Sequence, residues 1–177
     1  MKNTRKKITI ILGTAREGRQ SIKPFEYLYE LLSKKDDIEI KKIDVKDFNL
    51  NKTIAPWTQS KENEEFKAIV KNCEAFILVV PEYNHSFPGE LKLLLDQALK
   101  EYKNKPVIVT GVSAGGFGGV RAVESLIPML SAVGLKYIPH PLYFSNVEET
   151  FKLNKKELDD KYQDKINKSV DELLKAI

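Results

Sequence analysis

The sequence predicts an α/β fold in which a five-stranded parallel sheet is covered by helices on both faces. Short β-branched runs alternate along the chain with longer segments whose apolar residues recur at helical spacing. The third run, Ala75–Val80, is apolar throughout, as expected for a strand that is buried on both faces. The 177 residues are enough for one domain with a sizeable core.

The first half of the chain predicts two strands and two helices. Lys7–Leu12 is β-branched and is followed by glycine, which is typical of a buried strand. Apolar residues recur at helical spacing over Ile22–Ser33 and predict a helix. Ile38–Val45 alternates between apolar and polar residues as a second strand. A loop over Asp47–Gln59 then leads to a second helix over Glu64–Asn72.

The second half continues the alternation after the third strand. Gly89–Tyr102 is a strongly apolar helix, and Pro106–Thr110 is a β-branched fourth strand. Val120–Val133 is a helix that ends at a glycine suited to a C-terminal cap. Lys136–Phe144 predicts a fifth strand, less regular because it contains two prolines. Asn154 caps the final helix and has glutamate three residues later.

Right-handed crossovers between parallel strands favour the strand order 2-1-3-4-5, the flavodoxin-like three-layer sandwich. In such sheets, ligands bind beyond the carboxyl ends of the strands, near the switch point between strands 1 and 3. The unusual loops of this chain follow strands 1, 3 and 4, so we expect them to meet at one site. We expect residues 1–177 to form one domain.

The composition limits the classes of function. The chain has 29 basic and 25 acidic side chains, and the net charge of +4 excludes a strongly acidic surface without predicting a nucleic-acid partner. One cysteine and two histidines provide neither an intrachain disulfide nor a metal cluster. Because no long apolar run or signal-peptide core is present, we expect a cytoplasmic protein that binds no membrane.

The loop after the first strand, Gly13–Ser21, opens onto a helix. Helix N-termini present unpaired amides that hold phosphate, and Thr14 and Ser21 add hydroxyl donors. Arg16 supplies a cation for charge-assisted hydrogen bonds. The alternative is a simple strand-to-helix turn in which Ser21 is an ordinary cap. The dinucleotide motif G-x-G-x-x-G and the Walker lysine are both absent, which disfavours a dinucleotide fingerprint and an NTPase.

The loops after strands 3 and 4 also carry unusual residues. Pro81–Gly89 combines two prolines with three planar side chains and suits the border of a flat ring, or else forms a rigid connector. Gly111–Gly119 has five glycines in nine residues, which permit close approach of the backbone to a ligand. The alternative for this segment is a flexible loop without a ligand.

Three sequence blocks stand out: G-T-x-R-x-G-R-x-S from Gly13, P-E-Y-N-x-S-x-P-G-x-L-K from Pro81 and S-x-G-x-x-G-G from Ser113. Together they resemble the NADPH-dependent FMN reductase family, which includes quinone, azo-dye and chromate reductases. The resemblance covers roughly Lys7 to Gly134, and it implies a flavodoxin-like fold with bound FMN.

The resemblance also implies which residues contact FMN. They are Thr14, Arg16 and Ser21 with the amides of Gln20 and Ile22 at the phosphate; Pro81, Glu82, Tyr83 and Asn84 beside the isoalloxazine ring; and Ser113, Gly115, Gly116 and Gly118 at its pyrimidine edge.

By the same resemblance, NADPH (or NADH) supplies two electrons that pass through FMN to a small acceptor: a quinone, an azo compound, a flavin or a metal ion. The cofactor carries this chemistry, so we assign no catalytic side chain and no metal ligand. Arg19 or Arg121 is a candidate contact for the NADPH 2′-phosphate. Family members form dimers or tetramers, which implies a homodimer or homotetramer built on the predicted helix Gly89–Tyr102.

Two alternatives belong to other functional classes. A flavodoxin-type electron carrier binds FMN and passes single electrons to partner proteins, but such carriers are usually strongly acidic, and the net charge of +4 argues against one. A flavin-binding regulatory protein with little turnover is the second. Steady-state oxidation of NADPH separates the enzyme from both.

Overall fold

The computed structural model describes residues 5–177, and within them the sheet has six parallel strands. These are β1 (Lys6–Leu12), β2 (Ile38–Asp44), β3 (Ala75–Pro81), β4 (Pro106–Val112), β5 (Lys136–Tyr137) and β6 (Leu142–Phe144). Their order is β2-β1-β3-β4-β5, and β6 also pairs with β4. The predicted order 2-1-3-4-5 and the flavodoxin-like fold are therefore confirmed.

Helices cover both faces of this sheet. They are α1 (Ile22–Leu32), α2 (Lys61–Asn72), α3 (Gly89–Leu95), α4 (Val120–Ala132), α5 (Val147–Thr150) and α6 (Lys155–Lys175). One buried cluster joins α1 and α6 to the sheet, and a second joins α2, α3 and α4 to the opposite face. Alternate residues of β1 enter opposite clusters: Ile10 lies in the first and Ile11 in the second. All seven residues of β3 are buried, as its sequence predicts.

The predicted fifth strand is interrupted. It forms two short strands because Pro139 and Pro141, which lie between them, have no backbone N–H to donate to a ladder. β5 pairs with the amino half of β4, and β6 pairs with the carboxyl half, so the two together serve as one strand. The chain then turns into α5, a short helix that the sequence pattern did not predict.

Two helix boundaries also differ from the prediction. Helix α2 begins at Lys61 because the Ser60 side chain accepts a hydrogen bond from the amide of Asn63, at 3.2 Å. Helix α3 ends at Leu95, whereas the apolar pattern predicted a helix to Tyr102. The Tyr102 hydroxyl donates to the Leu95 carbonyl at 3.0 Å, and residues Lys100–Tyr102 form a separate 3₁₀ turn.

Over residues 5–177, no helix is both long and apolar enough to span a bilayer. The 21 residues of α6 would be long enough, but charged side chains occur in every turn of that helix.

Candidate functional site

A cleft of about 240 Å³ lies beyond the carboxyl ends of β1, β3 and β4. Four chain segments line it: Arg16, Gly18, Arg19, Gln20 and Ser21; Pro81, Glu82 and Tyr83; Val112, Ser113 and Ala114; and Val147 with Glu148. Its volume is just below the range of roughly 300–1,000 Å³ typical of ligand pockets. The structure thus brings the three loops together at one cleft.

The first wall of the cleft is the N-terminus of α1. Within the described part of the chain, the backbone amides of Gln20, Ser21 and Ile22 have no hydrogen-bond acceptor. The first turn of α1 has no acidic side chain, so its positive end is not neutralised locally. The side chain of Ser21 makes no capping hydrogen bond, although Ser21 occupies the N-cap position. The structure therefore does not support the alternative in which the Ser21 side chain is an ordinary helix cap.

Two polar atoms of this wall are buried without a partner. Among residues 5–177, neither the Ser21 hydroxyl oxygen nor the Gln20 Oε1 atom has a hydrogen-bond partner, and Ser21 is 2% exposed. A buried polar group without a partner costs about 1–3 kcal/mol. Together with the free amides, the Ser21 hydroxyl forms a set of donors suited to an anion.

Arg16 lines the cleft beside this wall. Its side chain is exposed, and its guanidinium lies 5.3 Å from the centre of the Tyr83 ring. Its backbone amide donates to the Thr14 hydroxyl at 3.2 Å, so Thr14 shapes the loop. Thr14 is fully buried and does not line the cleft, whereas Arg16 and Ser21 do.

The loop after β3 forms the second wall. The amide of Glu82 donates to the Val112 carbonyl at 2.9 Å, and Tyr83 and Ser86 exchange two backbone hydrogen bonds of 3.0 Å. The two residues between them, Asn84 and His85, have φ angles of 49° and 63°. They lie at the exposed tip of a tight turn and do not line the cleft.

The glycine-rich loop after β4 forms the third wall through Ser113 and Ala114. The Ser113 amide donates to the Phe144 carbonyl at 3.1 Å, and its hydroxyl donates to the Gly115 carbonyl at 2.8 Å. Gly115 and Gly116 are exposed and lie outside the cleft lining, with open space around them. Gly118 has a φ of 63°, and a Cβ there would lie 2.8 Å from the Cβ of Tyr143. Packing against β6 therefore explains this glycine without a ligand.

The sequence pattern did not indicate the fourth wall. Val147 and Glu148 begin α5, which is attached to the glycine-rich loop because the Val147 amide donates to the Ser113 carbonyl at 3.1 Å. These residues follow the last strand of the sheet. The rule that ligands bind beyond the carboxyl ends of strands is the signal that points to them, because it holds for that strand as well.

A larger hollow, about 620 Å³, lies at the opposite end of β1 and is lined by Lys7, Glu39 and Cys73 among others. Cys73 is 5% exposed, and its thiol lies 3.3 Å from the Val70 carbonyl. Burial raises the pKa of the Cys73 thiol, so the thiol stays protonated and is a poor nucleophile. The cleft at the carboxyl ends is therefore the stronger candidate for chemistry.

A family model described as NADPH-dependent FMN reductase matches residues 6–149. Among curated relatives, an NAD(P)H-dependent FMN reductase from Nectria sp. is 28% identical over 139 residues, which cover 72% of this chain and 68% of that protein. A quinone reductase from Pseudomonas putida is 26% identical over 160 residues, or 84% and 85% of the two chains.

Among solved structures, the flavoenzyme NAD(P)H:(acceptor) oxidoreductase FerB from Paracoccus denitrificans superposes with a TM-score of 0.78. The superposition covers 97% of this chain and 98% of FerB, at 21% identity. At that identity, the superposition shows a common fold.

Proposed function

The chain belongs to the NADPH-dependent FMN reductase family, and from that premise we propose that it passes two electrons from NADPH to a small acceptor through FMN bound in the cleft. The acceptor that we propose is a quinone, an azo compound, a free flavin or a metal ion. Relatives named quinone reductase and NADPH azoreductase support the first two.

The observation that carries the proposal is the Ser21 hydroxyl, buried without a partner beside three free backbone amides. The terminal phosphate of FMN would accept hydrogen bonds from all four donors, and Arg16 would add a charge-assisted bond. A ligand without the phosphate would leave the Ser21 hydroxyl unpaired. The residues present therefore fit FMN.

When bound, FMN supplies the hydride chemistry, and the chain's own residues bind and orient it. We propose that Pro81, Glu82 and Tyr83 border the ring on one side and that Ser113 lies at its pyrimidine edge. The backbone amide of the neighbouring Ala114, which also lines the cleft, can donate to negative charge on the ring. Thr14, Asn84 and Gly118 act by shaping the three loops. The open space beside Gly115 and Gly116 leaves room for the second substrate.

We further propose that Arg121 is the arginine that favours NADPH. Its guanidinium lies 5.3 Å from the Phe117 ring, close to the glycine-rich loop, and approaches the Glu82 carboxylate at 3.4 Å. Arg19, the other candidate, is paired with Asp44. The Arg121 side chain is 46% exposed and the Arg19 side chain only 10%. Arg121 is thus the more accessible of the two to a 2′-phosphate.

We also propose that the chain forms a homodimer or homotetramer, although the reason differs from the one that the sequence indicated. The resemblance implies an interface on the predicted helix Gly89–Tyr102, but four apolar residues of this segment are buried in the chain's own core: Leu91, Leu94, Leu95 and Ala98. Of the four large apolar side chains that are exposed in residues 5–177, two line one hollow: Trp57 at 80% and Leu99 at 44%. That exposed pair supports self-association.

The deciding experiment is to reconstitute the protein with FMN and follow NADPH oxidation with a quinone under steady-state conditions. We expect one FMN per chain, and parallel double-reciprocal lines because both substrates use the same open side of the cleft in turn. FMN binding with negligible NADPH oxidation would favour an electron carrier or a regulatory protein. Absence of FMN binding would overturn the proposal.

A further inference from the structure

The loop that supplies the anion-binding donors is attached to the sheet largely through one side chain, that of Arg19. Its guanidinium forms a two-pronged ion pair with the Asp44 carboxylate at the end of β2, with Nη1 and Oδ1 2.8 Å apart. The same guanidinium donates to the backbone carbonyl of Thr14. Both side chains of the pair are largely buried, at 10% and 14% exposure.

Little else holds this loop. Among the described residues, Thr14–Arg19 neither donate nor accept a backbone-to-backbone hydrogen bond. The Arg16 amide reaches only the Thr14 hydroxyl, and the Ala15 amide reaches the Glu90 carboxylate at 3.3 Å. Arg19 therefore joins the start of the loop, at Thr14, to its end just before the free amides.

Asp44 is itself fixed. Its carboxylate accepts a hydrogen bond from the Lys46 amide at 3.1 Å, which caps the 3₁₀ turn Val45–Asp47 that follows β2. Asp44 does not line the cleft. We therefore expect Asp44 to act on a ligand there through Arg19 and the loop.

We propose that Arg19 and Asp44 are positioning residues that hold the loop so that Ser21 and the amides of residues 20–22 converge on the phosphate of FMN. This inference rests on the proposed function. It assigns Arg19 to the loop rather than to a nicotinamide dinucleotide, because a planar guanidinium with both prongs on a carboxylate is already engaged.

The test compares FMN with riboflavin, which lacks the phosphate, in fluorescence titrations of the apoprotein. Asp44→Asn and Arg19→Met should each weaken FMN binding by about 10-fold or more, while riboflavin binding changes less than about twofold. The double variant should be no worse than either single variant, because the two residues act as one unit. Asp47→Asn is the matched control: it removes an exposed carboxylate of the same turn and should change neither affinity.

Other outcomes would overturn the inference. An equal loss of FMN and riboflavin affinity would show a general structural role. A loss of FMN affinity with Arg19→Met but not with Asp44→Asn would show that Arg19 contacts the ligand directly. A higher KM for NADPH alone, with that for NADH unchanged, would place Arg19 at the 2′-phosphate.

If Arg19→Met fails to fold, as judged by circular dichroism, Asp44→Asn and Arg19→Lys test the same point, since lysine keeps the charge but not the two-pronged geometry. Arg19→Lys should then show the same selective loss for FMN. Failure of the unmodified protein to bind FMN would instead contradict the proposed function itself.

Discussion

The carboxylate of Glu82, at the cleft end of β3, accepts a hydrogen bond from the backbone amide of Arg121 in the first turn of α4, at 3.2 Å. The Arg121 guanidinium approaches the same carboxylate at 3.4 Å. Because the N-cap residue of α4 is Gly119, which has no side chain to cap the helix, Glu82 takes that role from another loop. The loops after β3 and β4 are thereby joined.

Glu82→Ala should therefore destabilise the protein and loosen the ring-binding walls together. We expect a loss of about 1 kcal/mol in the free energy of unfolding, measured with urea, as for other lost helix caps. FMN and riboflavin affinity should fall by the same factor. Glu82→Gln keeps an acceptor and should lose less. Unchanged stability in Glu82→Ala would show that the hydrogen bond between Glu82 and the Arg121 amide does not stabilise the N-terminus of α4.

Arg16→Ala should affect the two flavins unequally. A hydrogen bond to a charged group contributes about 1.5–3 kcal/mol, which predicts FMN binding weaker by roughly 10- to 150-fold. Riboflavin binding should change little, because riboflavin lacks the phosphate. The loss of the contact between Arg16 and Tyr83 should have only a small effect on either ligand. Fluorescence titration of the apoprotein measures both. Equal weakening would mean that Arg16 does not contact the phosphate.

Ser21→Ala should separate stability from binding. Without ligand, the substitution removes a buried hydroxyl that has no partner, so the apoprotein should be as stable as the parent or more stable, by up to about 1 kcal/mol. FMN binding should nevertheless weaken by about 10-fold. Thermal unfolding with and without FMN gives both quantities. A less stable apoprotein would indicate that the hydroxyl has a partner within the protein.

Tyr137→Phe should change the stability of the protein at alkaline pH. Burial raises the pKa of Tyr137 to about 12, while an unfolded tyrosine ionises near pH 10. The contribution of the buried Tyr137 hydroxyl to the free energy of unfolding is fully present below about pH 10. It is lost as the pH rises toward 12, because only the unfolded state ionises in that window. The unfolding free energy of the parent should therefore fall relative to that of the variant as the pH rises from 9 to 12. A constant difference would contradict the raised pKa.

Trp57→Ser combined with Leu99→Ser should reduce self-association. Light scattering of the parent should give at least twice the chain mass of 20.2 kDa, and the double variant should approach the monomer. Leu153→Ser is the control, because Leu153 is also exposed, at 36%, but lies away from the hollow that Trp57 and Leu99 line. A parent protein that is monomeric at micromolar concentration would remove the proposal.

Much of the fold is predictable from the sequence because its signals are local. The buried strands appear as short apolar runs, and helix α6 is capped by Asn154 in the predicted capping box. The position of the cleft follows from a rule about strand ends, which places Arg16, Tyr83 and Ser113 in neighbouring loops, and all three line the cleft.

What the sequence does not indicate depends on contacts between distant residues. The end of α3 at Leu95 is stabilised by a hydroxyl seven residues away, and the cap of α4 comes from Glu82, 39 residues earlier. Apolar spacing cannot show that Arg19 pairs with Asp44, since the two are 25 residues apart and only the parallel pairing of β1 and β2 brings them together. Glycine content predicts close approach to a ligand, but at Gly118 packing alone requires the glycine.

The interrupted final strand bears on how this chain avoids aggregation. A long unpaired strand at the margin of a sheet is a template on which another chain can add by backbone hydrogen bonding. Here one margin consists of β5 and β6, segments of two and three residues separated by prolines, and the other is β2, which exposes Lys41 and Lys42. Neither margin suits the addition of a further strand. In the homodimer or homotetramer that we propose, the contacts between copies would therefore involve side-chain surfaces and not added strands.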